Sequence, residues 1–136
     1  MPFLLDTNIM SELRRGEACD PKVMKWAKST KGERHCISIL SLGEIRRGIE
    51  TLRRKAPDQC PAFEIWLDRL QANYADDILP ISASVVDRWG YLMALRTFPV
   101  IDSLIAATAL VHRLTLATRN TDDFVDSGVD LVNPFQ

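Results

Sequence analysis

The sequence has few of the residues that build thiolate, disulfide or imidazole sites. It contains three cysteines and two histidines among 136 residues. Cys19, Cys36 and Cys60 lie far apart and form no C-x-x-C pair, which argues against a disulfide framework or a thiolate zinc site and is typical of a reducing cytoplasm. His35 falls on a predicted strand and His112 at a predicted helix end, so both are interpreted as structural or surface residues.

Several motifs and segments are also missing. No G-x-x-x-x-G-K-[ST] or G-x-G-x-x-G loop is present to hold a nucleotide phosphate, and no G-x-S-x-G turn presents a nucleophile. No basic-then-apolar leader precedes the first strand, and the apolar runs are too short to span a bilayer. The net charge of −1 means that any nucleic-acid contact must be local. We therefore expect a cytoplasmic protein without membrane contact.

What is present is an alternation of short apolar runs with amphipathic segments. Strands are predicted near residues 3–5, 35–38, 78–81, 115–118 and 129–132. The helices between them include a hairpin at about residues 41–75, since the connection within it is short. Such alternation predicts an α/β fold with a mostly parallel central sheet of four to five strands and helices on both faces. At 46% hydrophobic and 26% charged residues, we expect residues 1–136 to form a single domain.

Carboxylates lie where predicted strands end or a buried helix begins: Asp6, Glu44, Asp102 and the pair Asp122 and Asp123. Because the carboxyl ends of parallel strands share one edge, where open α/β sheets bind ligands, we expect these acids to converge. Two carboxylates about 5 Å apart repel by roughly 3 kcal/mol at an effective dielectric of 20. An all-oxygen set suits a hard ion, so the pattern predicts Mg²⁺ or Mn²⁺.

Each acid also has an interpretation without a ligand. Asp6 would serve as the N-cap of the following helix, and Glu44 would complete a capping box with Ser41. Asp102 would be stabilised by about 0.3–1 kcal/mol at the positive end of its helix dipole. For Asp122, a place in a first helical turn is favoured. The metal interpretation is preferred because it explains all the acids together.

A carboxylate-held Mg²⁺ activates water and stabilises the charge that develops on a phosphodiester, so it needs no protein nucleophile. Polar residues beside the acids are candidates to orient carboxylates or bind phosphate; they are Thr7, Asn8, Ser103, Thr118 and Asn120. Thr118 and Asn120 would equally serve to satisfy turn backbone.

Basic residues near the acids are candidates for a phosphate path. Arg46 and Arg47 follow Glu44 closely, and Arg119 follows the fourth strand. Further candidates are Arg14, Arg15, Arg53, Arg54 and Lys55, although a solvated helix face is the alternative for the last three.

Four motifs, in this order and spacing, resemble the PIN-domain family. They are Leu-Leu-Asp-Thr-Asn at 4–8, Ser-Leu-Gly-Glu-Ile-Arg-Arg-Gly-Ile at 41–49, Ile-Asp-Ser-Leu-Ile-Ala-Ala-Thr-Ala at 101–109 and Ala-Thr-Arg-Asn-Thr-Asp-Asp-Phe at 117–124. More closely, the chain resembles the VapC-type ribonuclease toxins of type II toxin–antitoxin systems, including its Val-Asp-Leu-Val-Asn-Pro-Phe at 129–135. The resemblance implies a PIN-like three-layer α/β/α sandwich.

The resemblance also implies an activity. The implied activity is that of a Mg²⁺- or Mn²⁺-dependent endoribonuclease, which cuts single-stranded regions of RNA. The family's catalytic acids fall on Asp6, Glu44, Asp102 and Asp123, with Asp6 and Asp102 as metal ligands. Many PIN domains carry an aspartate where this chain has Asn120, and Asp123 is preferred to its neighbour as the fourth acid.

The implied partners are a small cognate antitoxin, the RNA substrate and a second copy of the chain in a homodimer, with DNA contacted only through the antitoxin. The predicted antitoxin surface is the helical hairpin. Two alternatives are a non-catalytic RNA- or partner-binding PIN-like module and a phosphorylated receiver-like domain. The receiver-like domain is disfavoured because the first strand ends in a single acid, Asp6.

Overall fold

The computed structural model describes residues 1–136 as five strands and six α-helices. The strands are β1 (Phe3–Leu5), β2 (His35–Ser38), β3 (Ile78–Leu79), β4 (Thr115–Ala117) and β5 (Leu131–Val132). The helices are α1 (Thr7–Leu13), α2 (Pro21–Ser29), α3 (Ile39–Lys55), α4 (Cys60–Asn73), α5 (Ala83–Leu95) and α6 (Val100–His112). Short 3-10 turns occupy Gly16–Ala18, Pro57–Gln59 and Thr121–Phe124. No helix is both long and apolar enough to cross a membrane.

All five strands are parallel, in the order β3-β2-β1-β4-β5. The last residue of β1, Leu5, lies beside Ile37 of β2 and Ala117 of β4. Because these strands run in the same direction and in register, Asp6 and Thr118 leave the sheet side by side at one edge. The predicted α/β fold with a central parallel sheet is confirmed.

Side chains of successive strand residues divide the core into two halves, since they point to opposite faces of a sheet. Leu4 and Cys36 pack on the face covered by α5 and α6. Leu5 and Ile37 pack on the opposite face, which α1, α3 and α4 cover. The result is the predicted three-layer α/β/α sandwich. Helices α3 and α4 are joined only by the Pro57–Gln59 turn and pack against each other.

The start of α3 differs from the prediction. The helix begins at Ile39, and its N-cap is Ser38, whose hydroxyl accepts a hydrogen bond from the Leu40 amide at 3.1 Å. The predicted capping box of Ser41 and Glu44 is therefore wrong, because the chain passes directly from the extended end of β2 into the helix. Ser41 is fully buried in the first turn, and its Oγ has no hydrogen-bond partner. Glu44 is consequently not engaged in capping.

The buried helix α6 also begins earlier than predicted. Its first residue is Val100, directly after Pro99, so Asp102 lies within the first turn and does not begin the helix. The fixed φ of proline suits a helix entry. The carboxylate of Asp102 therefore stands at the positive end of α6, beside the edge of the sheet that carries Asp6.

Candidate active site

Asp6 is the central acid of the sheet edge, and its side chain performs two tasks. It is 6% exposed. One carboxylate oxygen accepts a hydrogen bond from the Thr7 amide at 2.8 Å and so caps α1. The other accepts from Thr118 Oγ1 at 2.8 Å and from Asn8 Nδ2 at 3.3 Å. Burial raises the pKa of Asp6, these hydrogen bonds oppose that rise, and the charge of Asp123 adds to it.

Thr118 and Asn8 join the end of β1 to the turn after β4. Thr118 Oγ1 accepts from Asn8 Nδ2 at 3.3 Å and from the Asn120 amide at 3.1 Å. Asn8 Oδ1 accepts from the Arg119 amide at 3.1 Å. Thr118 therefore serves both the Asp6 carboxylate and the turn backbone. The network holds the buried carboxylate in one orientation.

Glu44 reaches the same region from α3. Its Oε1 accepts a hydrogen bond from Thr7 Oγ1 at 2.8 Å, so Thr7 connects the carboxylates of Asp6 and Glu44 through its amide and its hydroxyl. This bridge is possible because Thr7 is the first residue of α1 and directly follows Asp6, the only residue between β1 and α1. Two acids 38 positions apart in sequence are thus linked through one side chain.

Asp102 carries the most strongly perturbed carboxyl of the group. Its pKa is raised to about 6, chiefly by burial and then by the charges of Asp6, Asp123 and Glu44. No side chain donates a hydrogen bond to it. The four acids predicted from the sequence therefore share one electrostatic environment. Asp122, which is exposed, is not among the charges that raise this pKa.

No cation of the chain compensates these acids. The salt bridges involve other carboxylates: Glu12, Glu33, Glu50, Glu64 and Asp77. Repulsion among uncompensated acids at a partly buried edge favours the binding of a positive group there.

Comparison with known proteins identifies the fold family. Residues 3–127 match the PIN domain. The chain belongs to the PIN-domain family. It is 30% identical to the VapC ribonuclease Y4jK of Sinorhizobium fredii, with 98% of both chains covered. Among solved structures, FitAcB from Neisseria gonorrhoeae is 29% identical with a TM-score of 0.82, covering 98% of this chain and 99% of that one.

A second solved structure, FitAB bound to an IR36 DNA fragment, is 27% identical with a TM-score of 0.72 and covers 98% of this PIN domain and 96% of that chain. The resemblance to VapC-type toxins that the sequence motifs indicated is thus confirmed over nearly the full length.

The donor set of this PIN domain fits a hard divalent ion in chemistry and charge. All candidate ligands are carboxylate oxygens, and Mg²⁺ is commonly bound by one or two carboxylates while it retains several waters. Asp6 and Asp102 would supply that minimum. No three or more His, Cys, Asp or Glu side chains are arranged to hold one ion together. The site therefore suits an ion that completes its shell with water and substrate oxygens.

Ser103 contributes to the fold of the PIN domain and makes no hydrogen bond to any of the acids. It is buried, donates a hydrogen bond to the Val100 carbonyl at 2.8 Å and accepts one from Trp89 Nε1 at 3.0 Å. The hydroxyl thereby fastens the first turn of α6 to α5. In the structure Ser103 supports the helix that carries Asp102, without contacting a carboxylate.

Arg46 is engaged away from the acids. It lies about 200° around α3 from Glu44, given 3.6 residues per turn. Its guanidinium binds both carboxylate oxygens of Glu64 on α4, at 2.7 and 2.9 Å, and Glu50 at 3.1 Å. Arg53 binds the same two glutamates. The Arg46–Glu50 spacing is visible in the sequence, whereas the contacts with Glu64 depend on how α4 packs.

The remaining basic candidates differ in their surroundings. Arg14 places its guanidinium 3.8 Å from the centre of the Phe63 ring, and Arg15 pairs with Glu12. Arg119 lies over the Phe135 ring at 4.7 Å, next to the acids. The others are exposed and form no ion pair; they are Arg47, Arg54 and Lys55.

Beside the acids lies a groove lined largely by the helical hairpin that the family resemblance implied as the antitoxin surface. It has a volume of about 320 Å³ between α1, α3 and α4. Its walls include Leu52, Phe63 and Trp66, and Thr7 and Glu44 form part of its lining. In the sequence, Phe63 and Trp66 indicate only the apolar side of a helix. The groove adjoins the Thr7–Glu44 hydrogen bond and so opens onto the active site.

Proposed function

We propose that this PIN domain is a Mg²⁺- or Mn²⁺-dependent endoribonuclease that cleaves single-stranded regions of RNA, as the toxin of a toxin–antitoxin pair. The observation that carries the proposal is the convergence of Asp6, Glu44, Asp102 and Asp123. Burial and the charges of the other three acids raise the pKa of Asp102, and no cation of the chain compensates the group. A 30% identical relative that bears the name VapC ribonuclease supports the reaction class.

The side chains have separable roles in this reaction. Asp6 and Asp102 would hold the ion, which would supply an activated water and stabilise charge on the phosphodiester. Thr118 and Asn8 fix the Asp6 carboxylate through the hydrogen bonds at 2.8 and 3.3 Å. Glu44 and Asp123 add negative charge that favours a bound cation. An unpaired strand reaches such a recessed edge more easily than a helical RNA does.

The antitoxin would occupy the groove between α1, α3 and α4. Two structurally similar complexes, FitAcB and FitAB, support a partner of this kind. The walls formed by Phe63 and Trp66 suit an apolar side chain, and Glu44 in the lining suits a basic one. A segment bound there would lie against the active site and obstruct it. DNA would be contacted through this partner only.

A homodimer is proposed from the apolar surface where α5 ends and α6 begins. Tyr91, Leu95 and Val100 are 67%, 71% and 55% exposed, and Ile101 adjoins them. Large apolar side chains at such exposure are typical of a protein–protein interface when they lie together. A cytoplasmic location is likewise a prediction, consistent with three separate buried cysteines that form no disulfide.

The test is cleavage of a fluorescent single-stranded RNA by the purified protein in Mg²⁺ or Mn²⁺. We expect EDTA to stop cleavage, and Asp6→Asn and Asp102→Asn to abolish it while both variants keep the wild-type circular dichroism spectrum. Asp122→Asn is the matched control and should retain activity. Cleavage retained by both active-site variants would refute the assignment.

A second candidate is a non-catalytic PIN-like module that binds RNA or a partner. It is favoured by one observation, namely that no three acidic side chains are arranged around a single point. Such a module would bind RNA or antitoxin and leave the RNA intact with either ion present. End mapping of cellular RNA after brief induction separates the two functions, because only the nuclease creates new 5′ ends.

A further inference from the structure

Helix α2 carries an exposed positive surface for which the reaction described above gives no role. Four of the five lysines of the chain lie at positions 22, 25, 28 and 31, and residues 21–32 contain no acid. All four side chains are exposed, and none forms a salt bridge. On a protein with a net charge of −1, this segment is a strong local concentration of positive charge.

A shallow groove runs along this helix. It has a volume of about 410 Å³ and is lined by Lys22, Lys25, Trp26, Ser29 and Gln136. Positions 22, 25 and 29 are spaced so that they share one face of a helix. The two lysines therefore point into the same depression.

The groove is connected to the active site through Arg119 and Phe135. Gln136 lines the groove, and the neighbouring Phe135 ring lies 4.7 Å below the guanidinium carbon of Arg119. The Arg119 amide donates to Asn8 Oδ1, and Asn8 in turn donates to the Asp6 carboxylate. A continuous path of neighbouring residues thus leads from the acids to the α2 lysines.

Two of the five basic residues of α3 are neutralised by ion pairs. Arg46 and Arg53 are both paired with Glu50 and Glu64. Asp20, the N-cap of α2, has a carboxylate that accepts a hydrogen bond from the Lys22 amide at 2.8 Å and forms no salt bridge with a lysine ammonium group. The lysines of α2 thus remain available to an external anion.

We propose that Lys22 and Lys25, together with Arg119, bind the sugar–phosphate backbone of the RNA where it leaves the active site. The inference rests on the proposed ribonuclease function. It adds the path of the RNA strand, which would pass over Phe135 and along α2. Point charges on flexible stems suit phosphates and read no sequence. The contact therefore supplies affinity and direction without selecting the cleavage sequence.

The experiment measures binding of a single-stranded RNA by fluorescence anisotropy in the Asp102→Asn background, over a series of salt concentrations. The variant Lys22→Gln/Lys25→Gln is compared with Arg54→Gln/Lys55→Gln, which also removes two exposed, unpaired charges. Each lost phosphate contact lowers the slope of log K against log salt by about 0.7. For the α2 variant we expect the magnitude of the slope of log K against log salt to fall by about 1.4. RNA binding at 0.15 M salt should be about tenfold weaker.

In the otherwise wild-type enzyme, the α2 variant should raise KM by about tenfold with kcat unchanged, since it removes binding shared by ground and transition states. If the wild type cleaves RNA and the α2 variant binds RNA as tightly and with the same salt dependence as the wild type, the α2 path is refuted and the ribonuclease function is retained. If the α2 variant no longer binds the antitoxin but binds RNA as tightly as the wild type, the surface belongs to a protein partner and the inference fails. If the wild type neither binds nor cleaves RNA, the proposed function itself fails.

Discussion

Replacement of Asp102 by asparagine should abolish activity and, without metal, make the protein more stable. The side chain receives no hydrogen bond, and its carboxylate stands among three other acids. Asparagine has nearly the same shape and removes the charge. The substitution therefore tests whether burial and the charges of the neighbouring acids make the ionised Asp102 destabilising, independently of any catalytic assay.

The magnitude follows from the pKa of Asp102, which is raised from 3.8 to about 6. At 1.36 kcal/mol per unit this corresponds to about 3 kcal/mol. Because the side chain is only partly buried, solvent screening reduces the cost of ionisation to about 1–2 kcal/mol. Loss of the favourable helix dipole at the start of α6 offsets about 0.3–1 kcal/mol. We expect a net gain of about 1 kcal/mol, or about 4 °C in Tm.

The pH dependence has a definite sign. A carboxyl whose pKa is raised on folding binds its proton more tightly in the folded state, so ionised Asp102 destabilises the fold. This cost is fully present above pH 6 or so and disappears as the pH falls towards 3.8. The advantage of Asp102→Asn should therefore be largest at pH 7.5, shrink between pH 6 and 4, and vanish below.

The assay is urea unfolding in EDTA at pH 7.5, 6 and 4.5, followed by circular dichroism. Asp122→Asn serves as control, since that exposed acid does not contribute to the raised pKa. In millimolar Mg²⁺ the wild type should become the more stable of the two proteins, because an ion bound to the folded state stabilises the wild type more than the variant. The reasoning would be refuted by a variant that is less stable than the wild type in EDTA at pH 7.5. It would also be refuted if the difference in unfolding free energy did not change with pH.

Further substitutions test the surrounding contacts. Thr118→Val keeps the shape of the side chain but removes the hydrogen bond to the buried Asp6 carboxylate, so urea unfolding should show a loss of about 1.5–3 kcal/mol. Arg46→Gln should leave KM for RNA nearly unchanged because its charge is already paired, and Arg119→Gln should raise it; steady-state cleavage rates compare the two. Ser41→Ala removes a buried hydroxyl without a partner, so its Tm should equal or exceed that of the wild type.

Much of the fold was determined locally and could be predicted from the sequence. The apolar runs before Asp6 and after His35 alternate with amphipathic helices, and that alternation favours a parallel sheet with helices on both faces. Since every parallel strand ends at the same edge, the strand assignments placed Asp6 and Thr118 at one edge of the sheet. That they lie side by side depends on the pairing of β1 with β4, which the structure shows. The candidate acids were identified for the same reason.

Only the tertiary structure decided the contacts between elements that are distant in sequence. Arg46 pairs with Glu64 only because α4 packs against α3, and Ser103 binds Trp89 only because α5 lies beside α6. The groove along α2 exists because Gln136, which is distant in sequence, lies beside that helix and forms part of the groove lining. Such contacts depend on the relative placement of whole helices, which is determined by the packing of the entire core and not by the residues around each position.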